Sequence, residues 1–258
     1  MKKTNPIIRT VRIVFAVTSV VALALGIISM LAERSPSESY FVTATTALVS
    51  LAITFVPSFV ADRDMIVLPV GLQAMLCVFT FFAMFLGEIL DFYERFEWWD
   101  TMLHFASGVI FSMIGYMLFL SFNRDASVRR QLNPAIVVLF TVCFSVTCGA
   151  IWEIFEFAGD SLLGMNMQRW QSGLAAAQWS ALQNASNVSN PGLVNTMKDI
   201  ISDTLGSALS AFIILPLARH NSRYAKTPVP QSVLLAECNM AVAELHASKR
   251  TARGAKAA

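Results

Sequence analysis

Apolar residues run through this chain in blocks longer than the core helices of a soluble domain. Six blocks stand out, at about residues 11–32, 40–60, 66–90, 101–121, 134–158 and 197–218. A helix that crosses a bilayer takes about 20 mostly apolar residues. Lipid offers an open backbone no partners, so each block predicts a transmembrane helix. The predicted fold is an all-α polytopic membrane protein, a six-helix transmembrane bundle over residues 1–218 followed by a basic tail, 219–258. Two connections are short, Glu33 to Ser39 and Asp62-Arg63-Asp64, which places the helices they join side by side and antiparallel. The link from Asp91 to Trp99 is acidic and aromatic. The longest loop, 161–196, carries Gly164, Gly173 and Asn190-Pro191-Gly192, and loops of this length are often functional. In the tail, residues 232–248 predict a short helix with Leu234, Leu235, Cys238, Val242 and Leu245 on one side.

Composition agrees with the pattern. Hydrophobic residues make up 55% of the 258 and charged residues 14%, with a mean hydropathy of +0.59, where a soluble domain carries roughly 25% charged residues. The first block follows Lys2, Lys3, Arg9 and Arg12 and resembles a secretory signal. Its apolar run exceeds the usual signal core of roughly 7–15 residues, so an uncleaved first span is expected. With the N-terminus inside, fifteen of the 19 basic residues fall on inner segments and four on outer ones: Arg34, Arg95, Arg169 and Lys198. That asymmetry predicts cytoplasmic termini. It also puts all five tryptophans, Trp98, Trp99, Trp152, Trp170 and Trp179, near the outer surface, as interfacial anchors. Cys77, Cys143, Cys148 and Cys238 form no CxxC pair and read as small packing residues. Asn184-Ala185-Ser186 and Asn187-Val188-Ser189 match the glycosylation pattern, which matters only in a host that glycosylates. A few basic tail residues next to a membrane bind anionic headgroups; no nucleic-acid role follows from them.

Against this apolar background stand seven ionisable residues at helical spacings: Asp100 and His104, then Glu153, Glu156 and Asp160, then Asp199 and Asp203. Residues three or four apart share a helix face, and the topology puts all three groups at the outer ends of their spans. Ionisable groups at membrane depth face a bundle interior or mark a site. Six carboxylates together need cations or retained protons. Below them run Ser107, Gly108, Ser112 and Gly115, then Ser145 and Gly149, then Gly206 and Ser210. Such residues mark helix–helix contact faces in membranes. Carboxylates with one imidazole suit a divalent metal ion, with Mg²⁺, Mn²⁺, Zn²⁺ and iron all open. The expected ligands are Asp100, His104, Glu153, Glu156 and Asp199, with Glu156, Asp160 and Asp203 as acid–base groups. Singly, each has a plainer reading. His104 would be a packing histidine, Asp100 a helix cap, Asp160 a loop residue, and Asp199 and Asp203 partners of Lys198 or Arg95. Glu88 and Asp91 stand close enough in sequence to join the cluster, and Arg95 reads as a surface ion-pair partner.

Three stretches also carry a family likeness: Trp98-Trp99-Asp100-Thr101-Met102-Leu103-His104-Phe105-Ala106-Ser107-Gly108, Trp152-Glu153-Ile154-Phe155-Glu156, and Thr196-Met197-Lys198-Asp199 with Asp203-Thr204-Leu205-Gly206. Over about residues 85–210 the chain resembles the YjdF type of bacterial inner-membrane proteins, a family of unknown function. The family pattern has Asp where this chain has Asn195, whose amide oxygen can still coordinate. The resemblance implies a multi-pass protein of the bacterial cytoplasmic membrane and supplies no reaction. The functional expectation is a metal-dependent membrane enzyme acting on a lipid or lipid-linked headgroup by hydrolysis or group transfer, with membrane lipids as its partners. The alternatives are a cation- or proton-coupled transporter or binding protein, and a non-catalytic scaffold whose acids fix helix register.

Overall fold

The computed structural model describes residues 5–32, 37–63, 66–123, 131–169 and 191–222. The tail helix, the basic C-terminal end, Trp170, Trp179 and both glycosylation sequons lie outside the described residues. The helices are α1 (Pro6–Leu31), α2 (Ser37–Ile53), α3 (Val56–Asp62), α4 (Val70–Thr80), α5 (Phe92–Arg95), α6 (Trp99–Phe122), α7 (Pro134–Leu163) and α8 (Pro191–Asn221). No strand occurs among the described residues. Among the described residues six stretches are long and apolar enough to cross a membrane; the second combines α2 and α3, and the third runs from α4 through a π-helical segment, Phe81–Ile89. The chain is an all-helical membrane bundle.

Local sequence sets the breaks. Pro57, near the start of α3, has no N–H to give the preceding turn, and the second span parts at Thr54 and Phe55. Arg12 of α1 fills the gap. Its guanidinium donates to the Thr54 carbonyl (2.8 Å) and to the Ser58 hydroxyl (3.1 Å), and lies 3.9 Å from the Phe55 ring centroid. The π-helical segment closes with Leu90 N–H donating to Phe85 O at 3.0 Å, five residues back. Asp91 then takes a left-handed conformation (φ 57°), which aspartate tolerates, and turns the chain into α5.

The fifth and sixth spans reach further than hydropathy indicates. α7 continues past 158 to Leu163 and stops at Gly164, which supplies the left-handed residue (φ 64°) of a helix C-terminus. α8 begins at Pro191 rather than 197, with proline in the first turn where its missing N–H is harmless. Asp160, Asn195 and Thr196 therefore stand on helices.

The packing inverts that of a soluble protein. Ser50, Ser112, Thr141, Ser145, Ser207 and Ser210 are buried, while Leu162 and Phe212 are about four-fifths exposed, facing the surroundings that lipid would occupy. One layer joins α1, α2 and α4 around Ile8, Val11, Phe15, Ala47 and Cys77. The other joins α6, α7 and α8. Phe82 of the π segment stacks on Trp99 of α6 between them, with centroids 5.7 Å apart. In the second layer glycines bring backbones together. A Cβ on Gly108 of α6 would run into the Asp203 carbonyl of α8, and one on Gly206 would run into the Phe105 carbonyl.

Candidate metal centre

Close approach of α6, α7 and α8 gathers the three acidic groups at one end of the bundle. His104 is the hub. Its Nδ1 lies 3.2 Å from Asp203 Oδ2 and 3.6 Å from Glu153 Oε1, and its Nε2 lies 3.7 Å from Asp100 Oδ1. A tautomer with its proton on Nδ1 donates to Asp203 across this contact and leaves Nε2 with a lone pair. The other Asp203 oxygen accepts the Ser107 hydroxyl. Gly149 of α7 makes room for this carboxylate, since a Cβ there would press on it. The Nε2 lone pair then faces a carboxylate, an arrangement that needs a second proton or a cation between them.

Two overlapping groups place ligand atoms within 4.8 Å of one another: Asp100, His104 and Asp199, and His104, Glu153 and Glu156. All but the half-buried Asp100 are buried, and Asp199 is 0% exposed. Both Asp199 oxygens and both Glu153 oxygens are buried with no hydrogen-bond partner among the described residues. One Glu156 oxygen accepts the Trp152 indole N–H at 2.7 Å, and the other has no partner. Asn195 Oδ1, one turn before Asp199, is buried and unpartnered too. Leaving a buried carboxylate without donors is costly unless it is neutralised, and here the unsatisfied oxygens converge.

Two of the plainer readings, for Asp100 and for the Asp199 and Asp203 pair, find no support among the described residues. The N-cap of α6 is Trp98, so Asp100 does not cap it. Among the described residues no ion pair joins Asp199 or Asp203 to Lys198 or Arg95. Asp160 lies apart from the cluster. Its two oxygens accept the backbone N–H groups of Met167 (2.5 Å) and Gln168 (3.1 Å) and so fold the chain back after α7. Gln168 in turn donates to Thr196 Oγ1 at 2.8 Å, tying that segment to α8. Glu88 pairs with Arg169 rather than joining the cluster.

Sequence reasoning named Ser107 only as a small contact residue and passed over Tyr93, Trp152 as a donor, and Gln168. Ser107 stood one turn from His104, and Trp152 four residues before Glu156, which were the available signals. Tyr93, on α5 between two spans, packs against Gly87 and lies 4.4 Å from the Arg169 guanidinium. Burial, with Asp100 and Glu88 adding negative charge, pushes its phenol well above the usual range, so it stays a donor.

A cleft of about 600 Å³ opens between α7 and α8, and Glu153 and Thr196 line it. Toward the bundle interior from Asp203, hydroxyls continue: Ser145 donates to Gly108 O (2.8 Å), Ser207 to Ser145 (2.7 Å), and Ser210 to Ser207 O (2.6 Å).

No solved structure matches this chain. An uncharacterised protein of Thermotoga maritima is 27% identical over 148 residues, a stretch that takes in 57% of this chain and 63% of that relative's length. Residues 13–220 match a family described as predicted membrane proteins, so the likeness extends beyond the three motif stretches to α1 and α2. The chain is a multi-pass membrane protein and belongs to that family, DUF2238.

Proposed function

We propose that this protein binds a divalent metal ion between α6, α7 and α8 and uses it on a lipid or lipid-linked headgroup. The observation that carries the reading is the set of buried, donorless oxygens of Asp199 and Glu153 converging on His104. Asp100, His104 Nε2 and Asp199 would hold the ion. Asp203, fixed by Ser107, orients the ring from behind, as carboxylates commonly do for metal-bound histidines. Glu153, which lines the cleft, and Glu156, buried one turn along α7, would complete the coordination or take a proton as general base. A bound metal would polarise a substrate oxygen or activate water. The chemistry of the donors fits Mg²⁺, Mn²⁺, Zn²⁺ or Fe²⁺. Exposed Trp98 and Trp152 at this end of the bundle support headgroup depth. By the basic-residue count, that end faces outward from a bacterial cytoplasmic membrane.

The test is the metal content of detergent-purified protein. Near-stoichiometric metal is expected in the wild type and loss in His104→Ala and Asp199→Asn. Absence of metal after incubation with each of the four ions would overturn the proposal. Unchanged lipids after incubation with metal-loaded protein would remove the enzymatic part. The hydroxyl column from Ser107 to Ser210 favours a second reading, a cation or proton carrier. It predicts flux into protein-containing vesicles that disappears in Glu153→Ala.

A further inference from the structure

The cleft beside Glu153 runs along the flank of the bundle, and we infer that it is a lateral port seating one acyl chain of a bilayer phospholipid. The inference rests on the reading of the centre as lipid-active, and it adds the route and the part of the substrate that is held.

The cleft has the polarity gradient of an amphiphile. Near the ends of the two helices it is lined by Asp160, Ser161 and Gln168, with Gly192 and Leu193 beside them. Glu153 and Thr196 come next, and Ala150 and Ile200 line the deep end. From Ser161 to Ala150 is about 16 Å of helix at roughly 1.5 Å per residue. The cleft volume of about 600 Å³ lies within the range of small-molecule sites.

The walls face outward. Ile154 is 64% exposed and Phe157 60%, and on a spanning helix such faces meet hydrocarbon. A water-soluble substrate would have to replace lipid against these walls, whereas an acyl chain is already there. Glu153 separates this cleft from an ordinary lipid-facing groove. It is 2% exposed, has no close hydrogen-bond partner among the described residues, belongs to the candidate centre and still lines the cleft. α8 is drawn onto α6 through Gly108 and Gly206, and the cleft opens on its α7 side. A chain lying between Ile154 and Ile200 would bring the ester and phosphate level of its lipid to Glu153.

The experiment uses the full chain in detergent, titrated with phosphatidylglycerol that carries a diazirine on one acyl chain. After irradiation, adducts are mapped by mass spectrometry and metal is counted in the same samples. The expected result is saturable labelling at Ala150, Ile154 or Ile200, displaced by unlabelled lipid. Labelling should fall to the level of the surrounding surface in Ala150→Trp and in Ile200→Trp, which block the deep end from opposite walls. Should one variant fail to fold, the other keeps the test. Labelling that does not saturate and spreads equally over Leu205 and Phe212 would overturn the port, even with metal bound. Saturable labelling of a metal-free protein would leave the port standing and remove the metal reading.

Discussion

Replacing Gly149 by alanine tests whether Asp203 positions His104. An added Cβ would lie 2.9 Å from Asp203 Cγ and 3.2 Å from its Cβ, closer than packed atoms sit, so the carboxylate must move. Asp203 then loses His104 Nδ1, now 3.2 Å away, and the Ser107 hydroxyl. Each hydrogen bond to a charged group contributes about 1.5–3 kcal/mol. Alanine returns about 1 kcal/mol of helix propensity over glycine. Taking the lower figure for both bonds, the net loss is about 2 kcal/mol of fold stability. The larger consequence falls on metal binding. Removing the carboxylate behind a metal-ligating histidine weakens affinity about 10–100-fold, or about 1.4–2.7 kcal/mol. The assay is equilibrium titration of detergent-purified protein with Mn²⁺ or Zn²⁺, alongside thermal unfolding. Gly71→Ala is the control, because nothing lies within 4 Å of the Cβ it would add. A folded Gly149→Ala protein that binds metal within about twofold of wild type would refute the positioning role.

Gly206→Ala meets the Phe105 backbone carbonyl, which cannot swing aside, and should destabilise the bundle by about 1–3 kcal/mol of overpacking; thermal unfolding in detergent reads this, and an unchanged midpoint contradicts the close approach. Arg12→Lys should lower the midpoint nearly as far as Arg12→Ala, because an ammonium cannot reproduce a planar fork that donates from Nε to Thr54 Oγ1 and from Nη2 to Thr54 O and Ser58 Oγ while lying over Phe55. Full rescue by lysine would mean that charge alone matters there. Asp160→Ala frees two backbone donors and should speed amide exchange at Met167 and Gln168 by opening a turn held by about 1–3 kcal/mol. Exchange at the wild-type rate would show that the carboxylate does not hold that turn.

Much of the architecture was legible because membrane helices are written in composition. A run such as 134–158 has one stable form in lipid. The three acidic groups were legible for a related reason: spacings of three and four put Glu153 and Glu156, or Asp199 and Asp203, on one face whatever the neighbours are. The helix ends were less so. Hydropathy fades before α7 stops and sets in only after α8 has begun, and Gly164 and Pro191, whose effect is on backbone geometry, decide those two ends. Residue roles were hardest. Asp160 falls on the same stripe as Glu156, yet the chain reversal after Gly164 brings two N–H groups onto it, and no periodicity encodes that. Tyr93 comes near Asp100 because the third span ends in a π-helical segment and a left-handed Asp91, features that hydropathy does not encode.

The order of the helices along the chain has a consequence for biogenesis. His104 and Asp203, which meet at 3.2 Å, lie 99 residues apart. At a synthesis rate of roughly 5–20 residues per second, about 5–20 s separate their emergence from the ribosome. During that interval α6 and α7 enter the membrane with His104, Glu153 and Glu156, and the segment that completes their surroundings has yet to be made. The nascent protein therefore passes through a stage in which it carries exposed acids and no closed centre. Docking of α8, through Gly108 and Gly206, ends that stage. Chains stalled before residue 191 should accordingly be preferred targets for membrane quality-control proteases, and a variant that slows α8 docking should lower abundance in cells before it changes anything measurable in the purified protein.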